Sequence, residues 1–268
     1  MRHFHAALGL ASLIAASAHA ASPVALYDFD NTLAPVTGIG SGAASALVSV
    51  DPLGSSAFES DVVNGVARNV YRFNGSANPA SAQGGLQFVD ADLMNPSSYS
   101  VELYFSFDQV SGWRRILDTK DRSTDQGFYV LNGGLQLYPS NVGVGTFAAN
   151  TYYHVLLTFD GTTAVAYLNG IAQSTQSSDY YTLPASNTIG LFLDNTQSTA
   201  QNEYSSGKIA WARFYDGALT AGEAKSAYES AIAFEPGTPA VPEPGAMTFL
   251  LAGLGAASLC IARRKLGH

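Results

Sequence analysis

The sequence predicts an all-β protein, folded as a two-sheet antiparallel sandwich. The first observation is that short runs of alternating apolar and polar residues recur along most of the chain, which is the period of half-buried strands. The second is that Gly, Asn and Asp separate these runs, as they do in β-hairpins. The third is that a single segment of the body, residues 220–230, has a helical signal. Many short strands and one helix are typical of a sandwich.

The clearest element is a pair of strands joined by a tight turn. Residues 153–159 alternate, with Tyr, Val, Leu and Phe on one face and His, Leu and Thr on the other. The Asp-Gly pair at 160–161 tolerates the positive φ of a hairpin turn. A second β-rich run covers residues 163–168, and the Asn-Gly pair at 169–170 turns the chain into a further strand.

The remaining elements follow in order along the chain. Thr220 and Glu223 have the spacing of a capping box and therefore predict a helix that begins at residue 221. The other predicted strands cover residues 24–30, 69–73, 86–89, 99–107, 115–118, 127–131, 135–138, 188–193 and 208–215.

Two of these segments carry a family resemblance. The run from His154 to Gly170, with its T-F-D-G-T and Y-L-N-G pieces, resembles the central hairpin of laminin-G-like jelly rolls in the concanavalin-A-like lectin/glucanase group. The final strand followed by a short capped helix is similar to the end of such modules. The resemblance covers roughly residues 24–231 and implies a jelly-roll sandwich. It says little about the ligand, because this hairpin is scaffold.

The chain begins with the features of a secretory signal peptide. A short basic start precedes an apolar run at residues 6–16, and Ala18-His19-Ala20 has the form of a cleavage site. We therefore predict a signal peptide at residues 1–20, with an uncleaved anchor as the alternative. The folded domain is predicted to cover residues 21–233.

The C-terminal segment changes character. Residues 234–245 form a Pro-rich linker, which is stiff and extended. Residues 246–268 are predicted to be a transmembrane helix with a basic tail, because the apolar run at its start has 17 uncharged residues. That length is at the short end of a membrane span, about 17–25 residues. The basic side chains that would stay on the cytoplasmic side are Arg263, Arg264 and Lys265.

This tail resembles the PEP-CTERM sorting signal of Gram-negative bacteria, whose Pro-Glu-Pro motif is matched by Pro242, Glu243 and Pro244. The resemblance implies that an exosortase processes the tail. It also implies that the protein is anchored transiently in the inner membrane and then delivered to the cell surface, the extracellular matrix or a biofilm. An ordinary C-terminal membrane anchor is the alternative.

Charge and cysteine content exclude several functions. The net charge is −8, and the acidic balance argues against nucleic acid as a partner. The single cysteine, Cys260, lies in the apolar tail, so the body has no internal disulfide. His154 is the only histidine of the body, which excludes a Cys/His zinc cluster.

Catalytic motifs are weak, and we predict that the protein is not an enzyme. Glucanases of this fold place E-x-D-x-x-E on one strand, so that two carboxylates face the cleft. The nearest match begins at Glu59, but it ends in Asn64 and does not lie on a clear strand. Glu102 lies on a good strand without a partner carboxylate at the required spacing. His154 has no G-x-S-x-G elbow with which to form a serine triad.

Two kinds of binding site remain open. Some laminin-G-like domains bind calcium through Asp side chains at the rim of the sandwich. A polar loop and a later one offer Asp118, Asp121, Asp125 and Asp194 as candidate ligands, with Asn195 and Glu203 nearby; Lys120 and Arg122 weaken the first loop. For sugar stacking, Tyr180 and Tyr181 are the preferred surface candidates. The other aromatic candidates are Trp113, Trp211, Tyr152 and Tyr153, of which Trp211 is predicted to be packed.

The sequence thus predicts an exported surface or matrix protein with a carbohydrate-binding domain, whose partner would be an extracellular polysaccharide. A structural or adhesive protein that binds other proteins is the first alternative. A glycoside hydrolase of the same fold is the second.

Overall fold

The computed structural model describes residues 21–40, 42–75, 82–177, 179–197 and 203–233. The predicted signal peptide, linker, Pro-Glu-Pro motif, membrane helix and basic tail lie outside the described residues. Among the residues that are described, no helix is long and apolar enough to cross a membrane.

The described residues form fourteen strands and one α-helix. The predicted strands are all present, and the helix α1 (Ala221–Ile232) begins at the predicted capping box. The strands are β1 (Ser22–Tyr27), β2 (Val48–Val50), β3 (Ala57–Val63), β4 (Val66–Phe73), β5 (Gly85–Phe88), β6 (Tyr99–Phe107), β7 (Trp113–Asp118), β8 (Gly127–Leu131), β9 (Gly134–Tyr138), β10 (Tyr153–Phe159), β11 (Thr163–Leu168), β12 (Ile171–Ser177), β13 (Ile189–Leu191) and β14 (Gly207–Asp216).

The first sheet has eight strands in the order β12-β11-β10-β6-β14-β4-β3, and β1 also pairs with β14. All of its pairs are antiparallel. The predicted hairpin of β10 and β11 forms its turn where Asp160 accepts the backbone amides of Thr162 at 2.9 Å and Thr163 at 2.7 Å. Gly161 has a φ of +94°, which few other residues adopt at so low a cost.

The second sheet has six strands in the order β2-β5-β13-β7-β8-β9, again antiparallel throughout. The core lies between the two sheets, where the inward side chains of both alternate along each strand. Two ring stacks join the sheets. Phe73 lies on Phe192, and Phe88 lies on Phe214, each with ring centroids 3.9 Å apart. The predicted two-sheet antiparallel sandwich is therefore confirmed.

The outer face of the eight-stranded sheet is covered by other parts of the chain. Ala224 and Ala231 of α1 are buried against it, and the side chains of Val36 and Ile39, from the segment after β1, also pack there. Thr220 and Glu223 cap the helix reciprocally, since Thr220 Oγ1 accepts the amide of Glu223 and the Glu223 carboxylate accepts the amide of Thr220.

One expectation about the fold was wrong. The segment around Glu59 and Asp61 does form a strand, β3, which pairs with β4 from Ala57 to Val63. It lies at the edge of the sheet, and charged side chains are common there because they discourage pairing with other chains. Because of these charged residues, the alternation of apolar and polar residues that predicts a strand is weak in this segment.

Candidate functional site

The outer face of the six-stranded sheet carries aromatic and polar side chains. Arg115 of β7 pairs with Tyr129 of β8, and Tyr129 pairs with Gln136 of β9. Because side chains alternate across a strand, this register places the three on the face opposite the core residues Phe128 and Leu137. Trp113 and Tyr138 lie two residues further along β7 and β9 and share that outward face.

These side chains line a pocket of about 200 Å³, which we call the aromatic pocket: Trp113, Asp125, Tyr129, Tyr138 and Glu203. The Trp113 ring is nearly perpendicular to both tyrosines. The interplanar angle is 83° to Tyr129 and 85° to Tyr138, with centroids 5.2 Å and 5.5 Å apart. Tyr129 is fully buried, whereas Trp113 and Tyr138 are half-buried. Three rings and two carboxyl groups thus meet in one small opening.

Arg115 fixes the floor of the aromatic pocket. Its guanidinium lies 4.7 Å from the centroid of Tyr129 and is fully buried. It donates hydrogen bonds to the backbone carbonyls of Thr124, Asp125 and Gln126, at 3.1 Å, 3.3 Å and 3.1 Å, and so shapes the loop that carries Asp125. A side chain at Gly127 would meet this guanidinium at 2.7 Å, so the guanidinium would have to shift to make room for it.

Backbone contacts place Glu203 beside β7, the strand of Arg115. The amide of Arg115 donates to the carbonyl of Glu203 at 3.1 Å, and the hydroxyl of Ser205 donates to the carbonyl of Arg115 at 3.1 Å. Glu203 therefore lies next to β7 although it is distant in sequence.

Glu203 and Asp194 form a buried carboxyl pair. Asp194 is fully buried, and neither its Oδ2 nor the buried Oε2 of Glu203 has a hydrogen-bond donor among the other described residues. Burial and the charge of Asp194 raise the pKa of Glu203 to about 8, and burial also raises the pKa of Asp194. Two carboxylates in this position cannot both ionise freely, so the pair shares one proton at neutral pH.

The four aspartates predicted as calcium ligands occupy neighbouring loops but have other partners. Asp118 is buried, pairs with Arg115 and accepts the amides of Lys120 at 3.0 Å and Arg122 at 2.7 Å. Asp194 lies 3.6 Å from the Arg115 guanidinium.

The other two calcium candidates lie nearer the surface. Asp125 accepts a hydrogen bond from the Asn195 amide, and Asp121 accepts one from the Ser186 hydroxyl. Within the described part of the chain, no three His, Cys, Asp or Glu side chains group closely enough to hold a metal ion. Asp118 and Asp194 here face the Arg115 guanidinium. Calcium binding stays a prediction.

The preferred aromatic candidates lie elsewhere in the structure. Tyr181 is only 1% exposed, and its hydroxyl donates to the carbonyl of Gly127 at 2.8 Å. The expectation that it lies on the surface is wrong, because a short 3-10 helix (Asp179–Tyr181) turns it into the core. Tyr180 is half-buried and packs against the same core.

The candidate catalytic residues lie on the other sheet. Glu102 is fully buried on the outer face of the eight-stranded sheet, under α1, where it contacts His154 at 2.8 Å, Arg213 at 3.2 Å and the Tyr215 hydroxyl at 2.6 Å. We call these four residues the Glu102 network. Burial alone would raise the pKa of Glu102, but the charge of Arg213 and the hydrogen bonds from His154 and Tyr215 lower it to about 2. A carboxylate enclosed in this way cannot reach a substrate.

Of the pocket residues, Trp113, Asp125 and Glu203 were separate candidates from the sequence, whereas Tyr129 and Tyr138 were not. The pattern that could have identified these two tyrosines is the alternation of side chains along a strand. In β8, Tyr129 lies between the core residues Phe128 and Val130, and in β9, Tyr138 follows the core residue Leu137, so both rings are at outward positions.

The sandwich and its sorting tail define the class of this protein. The chain belongs to the concanavalin A-like lectin/glucanases superfamily, because residues 80–225, more than half of its length, match the Laminin_G_3 family. Residues 240–265 match the PEP-CTERM protein-sorting motif, which marks secreted proteins that an exosortase processes. No curated protein matches the sequence.

Solved structures share the fold. Domain 4 of AbnA, a GH43 extracellular arabinanase from Geobacillus stearothermophilus, solved with arabinotriose, is 17% identical with a TM-score of 0.56; the match covers 78% of this chain and 98% of that domain. The binding domain of botulinum neurotoxin serotype D is 13% identical with a TM-score of 0.51. That match covers 78% of this chain and 52% of the neurotoxin domain. At such identities the likeness concerns the fold alone.

Proposed function

We propose that this protein passes through the inner membrane of a Gram-negative cell, is held there transiently by its C-terminal segment, and is released to the cell surface or the matrix. In that setting the aromatic pocket binds an oligosaccharide of the extracellular polymer, without chemical conversion. The single observation that carries this proposal is the group of three aromatic rings, two of them half-buried, that lines one pocket together with two carboxyl groups.

The chemistry of the pocket suits a sugar. Aromatic faces stack on the C–H faces of sugar rings, and carboxyl groups accept hydrogen bonds from hydroxyls. Its volume of about 200 Å³ is below that of most drug-sized ligand sites, about 300–1,000 Å³. We therefore expect one or two sugar units of a longer chain to be held. The arabinotriose in the AbnA domain, which has the same fold, is in keeping with this choice.

The test is a binding titration of the full chain with a panel of oligosaccharides that includes arabinotriose and cellotriose. Trp113→Ala removes the half-buried ring and should weaken binding tenfold or more, which corresponds to about 1.4 kcal/mol. Tyr180→Ala is the matched comparison, because Tyr180 is a half-buried aromatic outside the pocket. Loss of binding in Tyr180→Ala with no effect of Trp113→Ala would move the site away from the pocket.

The same titration tests the remaining predictions. Binding that is lost on chelation would support calcium at Asp118, Asp121, Asp125 or Asp194. If no oligosaccharide binds, with or without calcium, the alternative of a protein-binding or structural surface protein would be favoured.

Glycoside hydrolysis is a second candidate function, and one observation favours it. Glu203 has a raised pKa and lies in the same pocket as Asp125, and glycosidases use a protonated acid near a carboxylate. Binding is preferred because the proton of Glu203 is shared with Asp194. Release of reducing ends from a bound trisaccharide, abolished by Glu203→Gln, would establish hydrolysis; no release would remove it.

A further inference from the structure

The aromatic pocket has an unbalanced charge. Four carboxyl groups lie in or beneath it, and two guanidinium groups lie among them. Arg115 pairs with Asp118 and approaches Asp194, while Arg122 Nε donates to the backbone carbonyl of Asp194 at 2.6 Å. Even with one proton shared within the carboxyl pair, the group keeps a net negative charge. Its members are Asp118, Asp125, Asp194, Glu203, Arg115 and Arg122.

We propose that the aromatic pocket recognises the protonated amine of an amino-sugar residue, so that its ligand is a polysaccharide with free, positively charged amino groups. This inference rests on the proposed carbohydrate-binding function and names the class of sugar.

The aromatic rings of the pocket are suited to a positively charged group. A cation is attracted to the face of an aromatic ring within about 6 Å of its centroid, and sites that bind organic ammonium groups often combine several rings. Trp113 stands nearly perpendicular to Tyr129 and Tyr138, and all three rings line the pocket. Arg115 already lies against the fully buried Tyr129, so Trp113 and Tyr138, which are half-buried, are the rings that a ligand's cation can reach.

The carboxyl pair of Glu203 and Asp194 offers acceptors for an ammonium group. An ammonium group has three donors and needs acceptors when it leaves water. Glu203 lines the pocket, and its buried Oε2 and the fully buried Oδ2 of Asp194 lack a donor among the other described residues. A neutral sugar hydroxyl would leave the excess negative charge in place, and a uronic acid would add to it. An ammonium group would bring donors and a positive charge, with which both carboxyl groups of the pair can ionise.

Binding of an ammonium group has a consequence for protons. The bound cation takes the place of the proton that Glu203 and Asp194 share, and this proton leaves to solvent as both carboxyl groups become ionised. The total charge in the pocket stays the same before and after the exchange. Binding at pH 6, where the free sugar amine is already protonated, should therefore release close to one proton per ligand, whereas a neutral sugar should release none.

The experiment uses three trisaccharides with one backbone. Chitosan trimer, chitin trimer and cellotriose are all β-1,4-linked and differ at carbon 2, which carries an ammonium, an acetamide or a hydroxyl group. The full chain is titrated with each by calorimetry at pH 6, where the sugar amines are protonated, and at about 0.15 M salt, in two buffers of different ionisation enthalpy. We expect chitosan trimer to bind at least tenfold more tightly than the others, with proton release.

Two variants and a control identify the groups responsible. Glu203→Gln keeps the shape of the side chain and should remove both the preference for the amine and the proton release. Trp113→Ala should weaken binding of all three sugars. Glu229→Gln removes a negative charge from the exposed face of α1 and should change nothing, since its side chain is 59% exposed and far from the pocket in the fold.

The outcomes separate this inference from the proposed function. Equal binding of the three trimers, sensitive to Trp113→Ala but not to Glu203→Gln, would overturn the amine preference and leave carbohydrate binding in place. Binding of chitosan trimer that survives both pocket variants would reveal general attraction to an acidic protein and would overturn the inference. If no oligosaccharide binds in this experiment or in the wider panel, both proposals fail.

Discussion

The two outer faces of the sandwich use similar residues with opposite results. On the eight-stranded sheet, a carboxylate, an arginine and aromatic rings form the Glu102 network, which α1 and the N-terminal segment cover. On the six-stranded sheet, carboxyl groups, an arginine and aromatic rings form the aromatic pocket, which stays open.

The difference lies in how the charges are satisfied. Both carboxylate oxygens of Glu102 have partners, and its pKa is lowered to about 2. Glu203 has a buried oxygen without a donor among the other described residues, and its pKa is raised to about 8. A satisfied network stabilises the fold, whereas an unsatisfied pair beside an opening is a place for a ligand. Residue type alone does not separate the two cases.

The largest expected loss of stability comes from a substitution in the Glu102 network on the closed face. Arg213→Met leaves the buried Glu102 charge without its cation, so the free energy of unfolding should fall by about 3–5 kcal/mol. Urea unfolding measures it. The matched control is Arg72→Met, since the Arg72–Asp108 pair is 27% and 32% exposed and should cost at most about 1 kcal/mol.

The pH dependence of the same pair follows from its pKa. The folded pKa of Glu102 is lower than that of an unfolded glutamate, about 4.3, so its contribution to stability is present above that value. It is lost as the pH falls towards 2. The difference in stability between the wild type and Arg213→Met should therefore shrink from pH 5 to pH 2. A constant difference would contradict the assignment of the charge to Glu102.

On the open face, we expect a smaller dependence of stability on pH, and of opposite sign, from Glu203. The folded pKa of Glu203 lies above its unfolded value, so between about pH 4.3 and 8 the folded state binds the extra proton. Stability should fall as the pH rises through this window, because burial and the neighbouring Asp194 and Asp125 oppose the ionisation of Glu203 more than Arg115 favours it.

Glu203→Gln tests that expectation. It removes the titrating group, so the variant should lose less stability than the wild type between pH 5 and pH 8, by roughly 1–2 kcal/mol after allowance for solvent screening. Chemical unfolding at both pH values measures it. Parallel curves for the two proteins would show that Glu203 does not titrate in this range.

The smallest effect concerns the helix that covers the closed face. Thr220→Ala removes the N-cap acceptor of α1 and should cost about 1 kcal/mol of stability. Oligosaccharide binding should be unchanged, because α1 lies on the opposite side of the sandwich. Thr220→Ser, which keeps the hydroxyl, is the control. A loss of binding in Thr220→Ala alone would mean that the two faces are coupled.

Much of the fold could be predicted from local sequence, and the pocket could not. Val101, Leu103 and Phe105 alternate with polar residues, so their strand and its buried face are readable. That Trp113 meets Tyr138 depends on the order β7-β8-β9 and on the register of three strands. Glu203 and Asp194 meet because the backbone at Glu203 contacts β7, which no spacing in the sequence specifies.

The most direct measurement uses the two tryptophans of the chain, one on each outer face. Trp211 is fully buried and Trp113 is half-buried, so acrylamide should quench the fluorescence of Trp113 alone, and Trp113→Phe should leave only the protected signal. Saturating chitosan trimer or cellotriose should shield Trp113 from acrylamide if the open face is the binding site. Quenching of Trp113 that neither trisaccharide changes would contradict that assignment.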